Sequence, residues 1–453
     1  MLLVVKQDKI RDLVINGNIY KVIFVIGLPL VVTNIIQIFY ELTDMFYVGK
    51  LGTLYVSALS LIWPINFFIV SLEMGMGIGS VSLIARSFGE GNYKKTARYS
   101  GQLLTLSFLL SILVALLAFI FIDSILGYIG AVGELRNYAR EYFSIAIYAI
   151  PVMFLSMAIV FILNAIGSTV ISMIIILIAN IVNFILDPIL IFTFDLGIAG
   201  AAWATLFSKL VAVISYPIAA FCFNKCLKIY VKDLIPNFDY LLRMLKGGIP
   251  ASLSQAMISF SFIIFNSFIV TIGTDFLAAY GISNMIDTFL FLPAMAFSSA
   301  LATIIGQNLG ISKIKRASEA LRKGFFVIGL VSISTTLILI INRNFLISLF
   351  TNNKTVLEYS NHYLFFIAIG SVGFSFQLAL QGALIGSGLT NLVMVVTFTR
   401  VWLVAMPIML IIKYFGVIFE YIWVFAVIPS YAGFFITLVI VLNGSWKHKK
   451  FTS

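Results

Sequence analysis

Within an apolar run of membrane-spanning length, 170–194, the chain carries Asn180, Asn183, Asp187 and Pro188. On a helix Asn180, Asn183 and Asp187 fall at i, i+3 and i+7 and share one face. Pro188 has no amide hydrogen, so the carbonyl of Phe184 loses its helical donor. A carboxylate, two amides and a freed carbonyl thus crowd one face at membrane depth. Hydrocarbon tolerates this where the face lines a cavity or binds something. The plain alternative is a bundle packed by amides, with a neutral Asp at a kink. A second cluster has the same form: Gln37, Tyr40, Glu41 and Asp44 at i, i+3, i+4 and i+7. Two acids one turn apart in a poorly solvated site do not both ionise easily, which suits uptake and release of a proton or a monovalent cation. Glu41 sits either in that pocket or solvated near the outer surface. Pro29, about four turns before Asp44, frees the carbonyl of Val25 and makes this helix bendable.

Other chemistry-bearing residues are scattered. Ala201, Thr205 and Lys209 share a face, and the Thr205 hydroxyl is a candidate ligand. Lys209 either neutralises Asp187 or snorkels to the inner surface. Glu73 precedes the run Met74-Gly-Met-Gly-Ile-Gly79, which permits close helix approach; it either binds substrate or sits in a turn at a helix break. Asp287, with Asn284, is the obvious deep acid of the second half, and Arg400 is its candidate counter-charge. No nucleophile–base arrangement or metal-ligand cluster is visible, and His362 and His448 are far apart, so the reading is not an enzyme and no cofactor is expected. Cys222 and Cys226 supply too few ligands for a metal site.

The elements that must hold these residues are membrane spans. The 453 residues are 61% hydrophobic and only 10% charged, a balance no soluble domain of this size shows. Apolar runs lie near 19–48, 54–86, 96–122, 141–166, 170–194, 199–223, 246–272, 276–306, 324–342, 359–385, 389–413 and 420–443. The expected class is therefore an all-α polytopic membrane protein of about twelve helices. A net charge of +11 would suggest nucleic acid in a soluble protein, but here the cations sit in short loops and set topology, so no nucleic-acid partner is expected. Lys6, Lys9 and Arg11, then Lys94, Lys95 and Arg98, then Lys225, Lys228 and Lys232, then Lys313, Lys315 and Arg316, and finally Lys447, Lys449 and Lys450 share one side. The other side has only Lys50, Arg136, Arg140, Arg343, Lys354 and Lys413, so both termini are expected to be cytoplasmic. The polar stretch 224–242 divides a first half, 1–223, from a second, 243–453.

The halves resemble each other in register. Gly27-Leu-Pro29 matches Gly248-Ile-Pro250, Leu51-Gly52-Thr53 matches Ile272-Gly273-Thr274, and Lys94-Lys95 matches Lys315-Arg316, about 221 positions apart each time. Asp187-Pro188 aligns with Met406-Pro407 and Gly197 with Gly416 after a small change of offset. An even number of spans per half gives both the same orientation, so the bundles are expected to be related by a pseudo-twofold axis along the membrane normal. The repeat partner of Asp44 is Phe265: the acid belongs to the first half alone.

Taken together, these residues resemble the multidrug and toxic compound extrusion (MATE) family over nearly the whole chain. The likeness rests on Gly-Leu-Pro29, on Tyr40-Glu-Leu-Thr-Asp44-x4-Gly49-x-Leu-Gly52, on Asn183-x3-Asp187-Pro188 and on Ala201-Ala-Trp-Ala-Thr205, besides the duplicated six-span halves. It implies two six-helix bundles around a central cavity and export coupled to proton or sodium entry. It is most similar to the prokaryotic branch with a coupling site in the first bundle. By that resemblance Asp44, Asn183, Asp187, Thr205 and the Ala201 carbonyl would hold the coupling cation, with Na+ as the metal if sodium is used. Gln37 and Tyr40 match cavity-facing positions, joined in this reading by Glu41 and Asn180, and Pro29 matches the bending point. Another branch uses carboxylates in spans seven and ten; here Gln255 and an entrance-level Glu358 stand instead, so no such second site is expected.

The expectation is a monomeric, multi-pass cell-membrane exporter that exchanges bulky cationic or amphipathic small molecules for protons or sodium. Its partners are those substrates and the lipid bilayer. The alternative on a similar double-bundle fold is a flippase for a lipid or polyprenyl-linked saccharide, with Lys209 and Arg400 for its phosphate.

Overall fold

The computed structural model describes residues 7–223, 228–270, 273–415 and 418–447. Lys6, Lys225, Cys226, Ile272, Gly416, His448, Lys449, Lys450 and the side chain of Cys222 lie outside the described residues. A short amphipathic helix, α1 (Gln7–Asn16), leads into α2 (Ile19–Gly49), α3 (Thr53–Gly89), α4 (Tyr93–Tyr128), α5 (Gly133–Ala165) and α6 (Thr169–Pro188). A π-helical turn, Ile189–Thr193, extends α6, and α7 (Gly197–Phe223) follows. After the one-turn α8 (Val231–Leu234) come α9 (Phe238–Val270), α10 (Thr274–Gly310), α11 (Ile314–Ser348) and α12 (Lys354–Ser387). Then α13 (Thr390–Phe398), a second π-helical stretch (Thr399–Ala405) and α14 (Met406–Phe415) form one span, and α15 (Ile418–Leu442) is the last. Among the described residues eleven segments are long and apolar enough to cross a membrane, and the shorter apolar stretch Val427–Leu442 within α15 makes the expected twelfth. The chain is a multi-pass membrane protein.

Helix forms here because each span must satisfy its own backbone in hydrocarbon. Ends are fixed locally. Asn92 accepts from the amide of Lys95, Asn353 accepts from those of Thr355 and Val356, and Gly388 closes α12 at φ 78°. Prolines 29, 64, 151, 217, 250 and 293 lie inside helices that continue past them. The duplication is built into the backbone. Helices begin at Thr53 and Thr274, Tyr93 and Ile314, Gly133 and Lys354, and Thr169 and Thr390, each pair 221 residues apart. The left-handed turns repeat at the same interval: φ is 76° at Gly91 and 59° at Ser312, and 83° at Gly167 and 78° at Gly388.

Contacts group the chain into two compact units: Met1–Leu13 with Val32–Ser252, and Val14–Val31 with Leu253–Ser453. The sequence-order halves 1–223 and 243–453 differ from this grouping where α2 and α9 change unit. Both do so two residues after a proline, Pro29 in α2 and Pro250 in α9. In the first unit α5 packs against α3, α4 and α7 around Ile62, Phe143, Phe154 and Ile191. In the second, α12 packs against α10, α11 and α15. Apolar side chains such as Phe119 and Ile120 on α4 and Leu337 and Ile341 on α11 point outward, as a lipid-facing surface requires.

The connection between halves is held to α4 by Gln102, which is fully buried. Its Nε2 donates to the carbonyls of Asp233 and Ile235, each at 2.8 Å, and its Oε1 accepts from the Asn237 amide at 2.8 Å. Replacing it by leucine keeps the volume and orphans three backbone groups. Gln102→Leu is expected to cost about 1–3 kcal/mol per group that water fails to reach. The checks are a lower Tm in detergent and faster tryptic cleavage at Lys228 and Lys232.

Candidate functional site

The polar faces of α2, α6 and α7 meet inside the first unit. Asn180 Nδ2 donates to the Ile36 carbonyl at 3.2 Å, tying α6 to α2. The Tyr40 hydroxyl and Thr205 Oγ1 lie 2.8 Å apart, tying α2 to α7. Asn183 Nδ2 donates to Asp187 Oδ1 at 3.2 Å, one helical turn along α6. Asp187 and Asn183 are 0% and 1% exposed, so no solvent compensates what the protein leaves unpaired. Much is left unpaired. Asp44 Oδ1, Asn180 Oδ1, Asn183 Oδ1 and Asp187 Oδ2 are all buried without a hydrogen-bond partner. Asp44 and Asp187 are in electrostatic contact with each other. Each such oxygen costs free energy unless something fills its lone pairs.

The donor set is all oxygen: two carboxylates, two amide carbonyls and a hydroxyl. That chemistry fits a proton or a hard monovalent cation and not a soft metal. Among the described residues no three His, Cys, Asp or Glu side chains cluster as metal ligands. Ala201 is fully buried in the core of the same unit, on the α7 turn before Thr205.

Three expectations need correction. Lys209 neither snorkels nor neutralises Asp187. Its Nζ stands 4.5 Å from the Tyr40 ring centroid, and its electrostatic partners are Glu41 and Asp44. Cation–π attraction and two nearby acids hold it inside. Glu73 occupies no turn at a helix break, because α3 runs unbroken through it. It is fully buried, and Oε1 accepts from Ser107 on α4 at 2.8 Å while Oε2 has no partner. Arg400 is not the counter-charge of Asp287. Ser371 donates to Asp287 instead, and Asn284 is spent on the Tyr280 carbonyl. Glu41 is exposed on α2 and in electrostatic contact with Asp44 and Lys209.

Tyr142 was missed from sequence. It is buried on α5 and in electrostatic contact with both Asp44 and Asp187. No carboxylate or amide stands three or four residues from Tyr142 to mark it as part of a polar face. The second unit shows the contrast. Phe265, Tyr363 and Met406, together with Trp402, belong to one apolar cluster, and Phe265 stacks on Phe425 with ring centroids 4.2 Å apart. Where the first unit holds Asp44 and Asp187, its copy holds Phe265 and Met406.

The family model MatE matches residues 29–189 and again 250–411, once per repeat. Probable multidrug resistance protein YoeA of Bacillus subtilis (strain 168) is 27% identical over 442 residues, covering 94% of this chain and 93% of that one. Multidrug export protein MepA of Staphylococcus aureus (strain MRSA252) is 27% identical over 380 residues, covering 83% and 84%. A MOP superfamily transporter from Pyrococcus furiosus shares the fold, with a TM-score of 0.89 at 22% identity and coverage of 96% and 98%.

Proposed function

We propose, from the premise that the chain belongs to the MatE family, that it is a secondary exporter driven by a cation gradient. Protons or sodium ions enter the pocket of Asp44, Asn183, Asp187 and Thr205 and neutralise it. Substrates leave in exchange. The observation that carries this reading is the set of four buried, unpartnered oxygens on Asp44, Asn180, Asn183 and Asp187, two of them from mutually repelling acids. An empty pocket of that kind is unfavourable, and cation capture relieves it. Pro29 lets α2, which carries Asp44, answer with a bend. Bulky cationic or amphipathic small molecules are the proposed cargo, in line with the multidrug names of the two bacterial relatives. The positive-inside pattern supports termini on the cytoplasmic side of the cell membrane.

The test is efflux of a cationic dye from proteoliposomes under separately imposed proton and sodium gradients. One gradient is expected to accelerate efflux; indifference to both would overturn the reading. Lys209 bears on which ion works, because a tethered ammonium beside Asp44 opposes a second fixed cation. Lys209→Gln is expected to lower the sodium concentration needed for half-maximal effect by about tenfold. An unchanged sodium response would show that Lys209 leaves ion choice alone.

A further inference from the structure

Arg400 stands in the π-helical stretch of the second unit as a permanent cation with no counter-charge among the described residues. No hydrogen bond or ion pair joins its guanidinium to any described residue, and its buried Nε has no partner. The guanidinium carbon lies 4.6 Å from the ring centroid of Phe374 on α12, so one face is occupied and the edge donors remain. Gln377, one turn along α12, is 1% exposed and its Oε1 is also unpartnered. Space for the pair comes from Gly433 on α15: a methyl group there would strike Gln377 Oε1 and come within 2.8 Å of Arg400 Cδ. Three elements thus converge on a charged donor with nothing to donate to. In a membrane-spanning segment such an arrangement is costly unless a ligand completes it.

We infer that Arg400, with Phe374 and Gln377 beside it, forms an oxyanion-binding site in the second unit that takes a carboxylate or phosphate group. The guanidinium edge matches two oxygens at once, and the side-chain amide of Gln377 adds a donor when turned. Position favours the acid group of a transported amphiphile over a lipid headgroup. Arg400 is ten residues into the span Thr390–Tyr414, about 15 Å from its nearer end, where lipid phosphates do not lie. This assignment rests on the exporter reading and narrows it: the cargo includes zwitterionic or acidic amphiphiles, with Asp44 and Asp187 left to the cation.

The experiment is equilibrium binding to the full chain in phosphatidylcholine nanodiscs, using a fluorescent rhodamine with a free carboxylate and the methyl ester of the same dye. Wild type is expected to bind the acid at least about tenfold more tightly than Arg400→Gln does, with ester affinity unchanged. Gly433→Ala, which keeps the charge but fills the space, is expected to weaken acid binding selectively. Retained ester binding and monodisperse elution establish that the variants are folded. Arg400→Lys serves as a second variant, expected to fall between wild type and Arg400→Gln because it keeps charge and loses the fork. Equal acid affinity in wild type and Arg400→Gln overturns the proposal. Stabilisation by added phosphatidylglycerol that depends on Arg400, without any acid-over-ester difference, keeps the oxyanion site and overturns its assignment to cargo. Because binding is read without a gradient, an Arg400-dependent preference in a protein that moves neither dye would sink the exporter and spare the site.

Discussion

Asp187→Asn is expected to reduce gradient-driven efflux at least about 100-fold, to the rate of protein-free vesicles, while the protein still folds and binds dye. The substitution keeps the shape and the Asn183 contact but removes the one property the pocket needs, a group that changes charge with its occupant. Asp187 is fully buried and bonded only to Asn183, so a neutral amide there is cheaper to bury than a carboxylate. Loss of transport would therefore come without loss of stability. Asp44→Asn is expected to do the same from the α2 side. The double variant should transport no less than either single one, because the two acids act as one coupled unit. Undiminished gradient-driven efflux in Asp187→Asn would remove the basis for placing the coupling ion in this pocket.

The second large effect is structural. At Gly79 on α3, an added Cβ would strike the backbone of Gly247 and Gly248 on α9; at Gly75 it would strike the backbone of Ser252. Backbone cannot swing aside as a side chain can. Gly79→Ala is expected to cost about 1–3 kcal/mol, and Gly79→Leu to prevent monodisperse elution altogether. Gly281 on α10 is the control, since a methyl group there meets nothing within 4 Å. Gly281→Ala is expected to hold or raise Tm, gaining up to about 1 kcal/mol of helix propensity. Equal Tm values for the two alanine variants would show that α3 and α9 yield at Gly79.

The sequence was most legible where physics is local or periodic. Apolar runs announced the spans, and Gly, Pro and basic residues at one interval announced the duplication; the shared left-handed turns appeared only in the backbone. The polar faces of α2 and α6 could be read because helical spacing places Gln37, Tyr40 and Asp44, or Asn180, Asn183 and Asp187, together. Partners on other helices left no such trace. Tyr142, the Ser107 that serves Glu73 and the Ser371 that serves Asp287 are each ordinary residues on helices other than those that carry the acids. Charge alone could not name the partners: Lys209 faces Glu41 and Asp44 rather than Asp187, and Arg400 rests on the Phe374 ring rather than beside Asp287. Packing decided those geometries, and packing is not written in any one segment.

The exchange of α2 and α9 between the units bears on how the chain is made. Residues Val14–Val31 precede by more than 200 positions the rest of the unit they complete, Leu253–Ser453. Gly27, for example, accommodates the ring of Phe297. That segment must wait in the translocon or the bilayer until the later helices are synthesised, a long loop to close. A gene cut in the middle would yield two fragments, each missing a piece supplied by the other. Neither is expected to be stable alone, and co-expression should rescue both.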